Sequence, residues 1–177
     1  MSYADDIRSV SALDLPWTAL GGCNILITGA TGLIGSCMVD VLTNNPKRDY
    51  CVYAAGRNEV NARERFRDYL GDGRFHFLKY DVREALDSDV DFHYVIHAAS
   101  NASPNFFSTK PVEVMEAALA ANDGKEYDLS ICCVNIESCE MSAILPVRDD
   151  GLVYFFSMAT SFTKAALGAE GIGKDVT

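Results

Sequence analysis

The sequence predicts an α/β protein: a doubly wound parallel sheet of six strands in the order 3-2-1-4-5-6, built as one domain over residues 1–177. Three observations point there. Six short apolar runs alternate with helical patterns. The runs are near-continuous rather than alternating, as in strands buried on both faces. The first run passes through three closely spaced glycines straight into a helix. Right-handed crossovers then set the strand order.

After an amino-terminal segment of about twenty residues the elements follow in turn. The first strand is 24–28. Ile34, Cys37, Met38, Val41 and Leu42 then recur at helical spacing until Asn44, Asn45 and Pro46 stop the helix. The second strand is 51–55, followed by an arginine-rich helix over 60–70 with Phe66, Tyr69 and Leu70 as its apolar stripe. Gly71, Asp72 and Gly73 turn into a third strand at 75–78, which ends at Asp81. A fourth strand covers 93–98. Pro111 opens a helix reaching about Ala121, and Asn122, Asp123 and Gly124 close it. A fifth strand at 129–134, a helix at 137–145, a turn at 149–151, a sixth strand at 152–156 and a helix at 161–167 complete the chain.

Composition excludes several classes. The chain is 49% hydrophobic and 23% charged, which suits a packed domain and not a disordered one. Its formal charge of -10 makes nucleic acid and anionic membrane poor partners. The longest strongly apolar stretch, 152–156, is far short of a membrane span. Asp5 and Asp6 precede any apolar run, so no signal peptide is expected. The six cysteines make no Cys-x-x-Cys and stand at no zinc-finger spacing from a histidine; reduced thiols in a cytoplasmic protein are expected.

The glycines at 29, 32 and 35 have separate tasks. Gly29 permits a tight turn, Gly32 leaves room for a pyrophosphate against the backbone, and Gly35 allows close helix–strand contact. Thr31, Leu33 and Ile34 complete a loop whose unpaired N–H groups and helix dipole attract phosphate. At the end of the second strand, where an NAD-binding site places a carboxylate, stand Ala55, Gly56, Arg57 and Asn58. Arg57 offers a fork of donors suited to a 2′-phosphate, with Asn58 beside it. Arg63 and Arg65 add positive potential, and Glu59 opposes it. NADP is therefore the expected cofactor, with NAD the alternative.

The Gly-x-x-Gly-x-x-Gly spacing over Gly29, Gly32 and Gly35 resembles the extended short-chain dehydrogenase/reductases, the NAD(P)-dependent epimerase/dehydratase family. The resemblance covers about residues 20 to 116. It implies that Asp81 and Val82 meet the adenine, and that His97, Ala98, Ala99 and Ser100 pass along the ribose. That family's Tyr-x-x-x-Lys dyad is absent, because none of the eight tyrosines has lysine four residues later. From about residue 117 the sequence resembles instead the Rossmann domain of the 3,5-diaminohexanoate dehydrogenases, on stretches 127–135 and 154–162.

Two family halves meeting near residue 116 suggest a recombined or engineered chain. A dinucleotide-binding module without complete catalytic machinery is the expected function. The alternative is a working oxidoreductase or epimerase that uses strand-end residues such as Ser100, Asn135, Ser157 or Thr160; of these, Asn135 is also expected to reach the cofactor. The length leaves no room for a substrate domain, no metal is expected, and pairing of an apolar sheet edge with another copy gives a possible homodimer.

Overall fold

The computed structural model describes residues 2–82, 84, 86–99, 111–133, 139–156 and 160–177. They fall into two compact units, Met1–Ala99 and Ser100–Thr177.

In the first unit β1 (Asn24–Thr28), β2 (Cys51–Gly56), β3 (Phe75–Lys79) and β4 (Tyr94–His97) form a parallel sheet in the order β3-β2-β1-β4. Period-two alternation divides their side chains. Ile25, Ile27, Val52 and Ala54 pack on one face with Val39, Leu42, Tyr50 and Phe66, while Leu26 and Ala55 meet Leu78, Tyr80, Phe92 and Val95 on the other. The central strand is fully enclosed. That explains its unbroken apolar run.

The helices are α1 (Tyr3–Ser11), α2 (Leu33–Thr43) and α3 (Glu59–Arg65), with one 3₁₀ turn at Trp17–Leu20. The sequence reading passed over α1. Its signal was the capping box, in which the Ser2 hydroxyl accepts from the Asp5 N–H and the Asp5 carboxylate accepts from the Ser2 N–H. The helix predicted over 60–70 ends at Arg65; Phe66, its C-cap, is buried and Tyr69 packs half-buried beside it in turns, whereas Leu70, expected in the same stripe, is exposed.

Helix α1 is fastened to α2 by polar contacts. Ser11 donates to the Val41 carbonyl at 2.9 Å. Asp40, buried in α2, accepts from the Tyr3 hydroxyl at 2.6 Å and the Tyr69 hydroxyl at 2.9 Å, and pairs with Arg65. A carboxylate out of water is tolerated only when so satisfied. Burial, with the Asp40 carboxylate nearby, pushes the Tyr69 hydroxyl up to about 12. Asp40→Ala removes the carboxylate from Arg65 and from both hydroxyls, and is expected to cost about 2–3 kcal/mol, discounted because Arg65 is partly exposed. Urea midpoints of the two proteins check it.

The second unit holds α4 (Pro111–Ala120), β5 (Tyr127–Cys132), α5 (Glu140–Ile144), β6 (Val147–Phe155) and α6 (Phe162–Gly171). Asp123 and Gly124, at φ 52° and 74°, close α4 where a turn was expected. Strands β5 and β6 pair in parallel, Leu129 opposite Leu152 and Cys132 opposite Phe155. Residues 175–177 lie along the other edge of β6, where Thr177 donates to the Gly151 carbonyl at 3.1 Å.

One expectation is changed here. The residues 149–151 are no loop: β6 runs through them from Val147, and Asp150 at φ 60° makes an irregularity inside the strand. A side chain at Gly151 would strike Val147 and the Arg148 carbonyl, so the kink requires glycine. Among the described residues backbone pairing gives a four-stranded sheet, β3-β2-β1-β4, and a two-stranded sheet, β5-β6. Apolar periodicity identifies strands, but it carries no information about which edge meets which. Helix α5 covers one face of β5-β6, through Cys132, Cys139, Ala143, Val153 and Phe155. On the opposite face Leu129, Ile131, Leu152, Tyr154 and Phe156 remain exposed.

Candidate functional site: a glycine-lined helix start

The loop between β1 and α2 is set by contacts that admit no side chain. Gly29 has φ +64°, and a Cβ there would lie 2.6 Å from the Ala98 carbonyl oxygen and the Ala99 nitrogen. The turn thus lies directly against the end of β4, bringing Ala98 and Ala99 to the loop. A Cβ on Gly35 would stand 2.3 Å from the Gly29 carbonyl oxygen, so α2 closes on the turn only because residue 35 is glycine.

Gly32 differs from both. It is the N-cap of α2, at the ordinary φ of -75°, and a Cβ there meets only the Gly29 oxygen, at 3.2 Å. Its backbone does not demand glycine; what glycine provides is open space above the helix start. No side chain caps α2, and the Leu33 and Ile34 side chains are 91% and 57% exposed. The first-turn N–H groups of a helix have no acceptors of their own. Here they face outward beside Thr31, whose hydroxyl would lie 3.8 Å from a Cβ on Gly56 at the end of β2. An uncapped helix start with a bare glycine is a cradle for phosphate oxygens.

Arg57, next along from Gly56, is exposed and makes no ion pair among the described residues. The other two arginines expected to add positive potential are committed elsewhere. Arg63 pairs with Glu59 at 2.8 Å, one helical turn away, and Arg65 pairs with Asp40. Glu59 is therefore neutralised within α3. The Asn58 side chain is also in use: its oxygen caps α3 by accepting from the Asn61 N–H at 3.0 Å. Sequence reading had no signal for these pairings except the Glu59–Arg63 spacing.

Asp81 and Val82 follow β3, both half-buried, with Val82 packed against the cluster of Leu26, Ala55 and Tyr80. His97 ends β4 in register with Thr28, and its Nδ1 lies 2.9 Å from the buried Thr28 hydroxyl. Burial pushes the imidazole down to about 4, against a weaker opposite pull from the Ala99 backbone. The neutral ring is thus favoured by folding. Its contribution is fully present above about pH 6.5 and drains as pH falls towards 4, by up to about 3 kcal/mol. Stability measured between pH 7 and 4 is expected to fall more steeply for the wild type than for His97→Gln. Parallel curves would remove His97 from the account.

Ser100, Asn135 and Ser157 lie outside the described residues. Thr160 is described; its hydroxyl is buried without a hydrogen-bond partner among the described residues. No group of three metal-ligating side chains occurs among them, and no helix is long and apolar enough to cross a membrane.

This geometry is that of a parallel α/β unit with an uncapped, glycine-lined helix start. The family model for the NAD dependent epimerase/dehydratase family matches residues 25–123, more than half of the chain, and the chain belongs to that family. UDP-glucuronic acid decarboxylase 6 of Arabidopsis thaliana is 36% identical over 92 residues, 52% of this chain and 26% of the plant protein.

The second resemblance is present too. L-erythro-3,5-diaminohexanoate dehydrogenase of Acetoanaerobium sticklandii is 76% identical over 66 residues, 37% of this chain and 19% of that enzyme. The Fusobacterium nucleatum enzyme of the same name is 63% identical over 70 residues, 40% of this chain and 20% of its own length. The chain therefore spans a fifth to a quarter of the curated relatives it matches. Among solved structures, Pen from Bacillus thuringiensis superposes with a TM-score of 0.43 at 21% identity, over 77% of this chain and 38% of that one. The family and these dehydrogenases support a nicotinamide dinucleotide as the cofactor.

Proposed function

We propose that the chain is a dinucleotide-binding Rossmann module favouring NADP(H), in which the pyrophosphate lies over Gly29, Thr31, Gly32, Leu33, Ile34 and Gly35. Adenine rests by Asp81 and Val82, the 2′-phosphate meets Arg57 beside Asn58, and the ribose passes Ala98 and Ala99. The observation that carries the reading is the uncapped start of α2, with Gly32 bare and Leu33 and Ile34 exposed. The preference for NADP(H) rests on Arg57, exposed at the end of β2 and without an ion pair among the described residues, while Arg63 and Arg65 are paired.

Arg57→Asp places a carboxylate against the 2′-phosphate. It is expected to weaken NADPH at least tenfold, about 1.4 kcal/mol, and to leave NADH unchanged or tighter. Equal loss for both cofactors would exclude Arg57 from reading the phosphate.

The module is a recombined chain joining two family halves near residue 116, within α4. Support comes from a family match over 25–123, together with a 66-residue stretch 76% identical to L-erythro-3,5-diaminohexanoate dehydrogenase. It has no efficient dehydrogenase or epimerase activity of its own. The bound cofactor would supply hydride chemistry, but that chemistry needs a proton donor or acceptor held alongside, and the Tyr-x-x-x-Lys pair is missing. Turnover near ~1 per second with aldehydes, ketones, keto-amino acids or nucleotide sugars would overturn this part. Residues 175–177 occupy the edge of β6 through which a homodimer was expected to pair; the exposed apolar face of β5-β6 supports a homodimer instead, and sedimentation over a range of concentrations tests it.

A further inference from the structure

Cys132 ends β5 and Cys139 stands immediately before α5, with six residues, 133–138, between them in sequence. Their Sγ atoms lie 3.7 Å apart, both buried in the cluster with Ala143, Val153 and Phe155. At that distance one thiol donates a weak S–H bond to the other. Among the described residues no other pair of thiols is in such contact: Cys23, Cys37 and Cys51 are half-buried apart, and Cys133 is exposed.

We propose that Cys132 and Cys139 are a thiol–disulfide switch, oxidised to an intramolecular disulfide by exchange with a small-molecule disulfide such as glutathione disulfide. The Cys132 thiolate attacks one sulfur of the small disulfide, forming a mixed disulfide and expelling one thiolate. The Cys139 thiolate then attacks Cys132 Sγ, forms the protein disulfide and expels the second thiolate. The protein loses two hydrogens and the small disulfide becomes two thiols.

Burial, and then the neighbouring Cys132, push the Cys139 thiol up to about 11, so the exchange is faster at alkaline pH. To bond, the sulfurs must approach by roughly 1.7 Å, to a length of ~2.04 Å. The product is an eight-residue covalent loop tying the end of β5 to the start of α5, across the segment that carries Asn135.

The full chain is incubated with glutathione disulfide at mildly alkaline pH, alkylated, digested and mapped by mass. The expected product has residues 132 and 139 linked and two hydrogens lighter, with Cys133 alkylated. It forms before any other cysteine pair and reverts with dithiothreitol. Cys133→Ser forms the same link. A glutathione adduct resting on Cys133 without a cross-link, a link that includes Cys133, or full alkylation of Cys132 and Cys139 would each overturn the proposal.

Discussion

Gly35→Ala is expected to destabilise the first unit by about 3 kcal/mol or more, and to lose the dinucleotide with the fold. The added methyl would lie 2.3 Å from the Gly29 carbonyl oxygen and 3.0 Å from the Ala30 Cα. Both obstacles are backbone, so no rotamer relieves them. Overpacking of a flexible site costs about 1–3 kcal/mol; here α2 must move away from β1, or the turn at Gly29 must open. That turn is itself held by Ala98 and Ala99, so the displacement spreads to β4. Chemical denaturation of the purified variant measures it.

Gly32→Asp is expected to do the reverse: keep the fold and abolish binding. Residue 32 has the extended backbone of an N-cap, φ -75° and ψ 172°, and aspartate is among the best residues there. Its side chain can cap the N–H groups that otherwise await phosphate, and it sets a negative charge against them. Thermal stability should stay level or rise. Affinity for NADPH should fall a hundredfold or more, about 2.8 kcal/mol. The contrast between positions 32 and 35 separates a glycine kept for its ligand from one kept for its packing. Loss of stability at both, with binding in proportion, would remove that distinction.

Much of this was legible in the sequence because its cause is local. An unbroken apolar run flanked by turn residues makes β1 and β2 recognisable, and three glycines at spacing three predict a turn, a bare helix start and a close approach. What escaped depends on contacts distant in sequence. The roles of Arg63 and Arg65 are decided by Glu59 and by Asp40, and Asp40 is an acidic residue inside an apolar helix whose partners come from positions 3, 65 and 69. Helix α1 was missed for its polar composition, although Ser2 and Asp5 stand at capping spacing. In β6 the residues Asp149, Asp150 and Gly151 have turn chemistry and were read as a turn; the strand absorbs them through a positive φ at Asp150. The contact of His97 with the Thr28 hydroxyl is visible only once the register sets the two residues opposite each other.

The central claim, that the glycine loop and Arg57 hold NADP(H), is tested most directly by calorimetric titration of the wild-type chain with NADPH and, separately, NADH. The account predicts saturable binding of one dinucleotide per chain, with NADPH at least tenfold tighter than NADH. Absence of binding by either at millimolar concentration, with the chain folded, would contradict it.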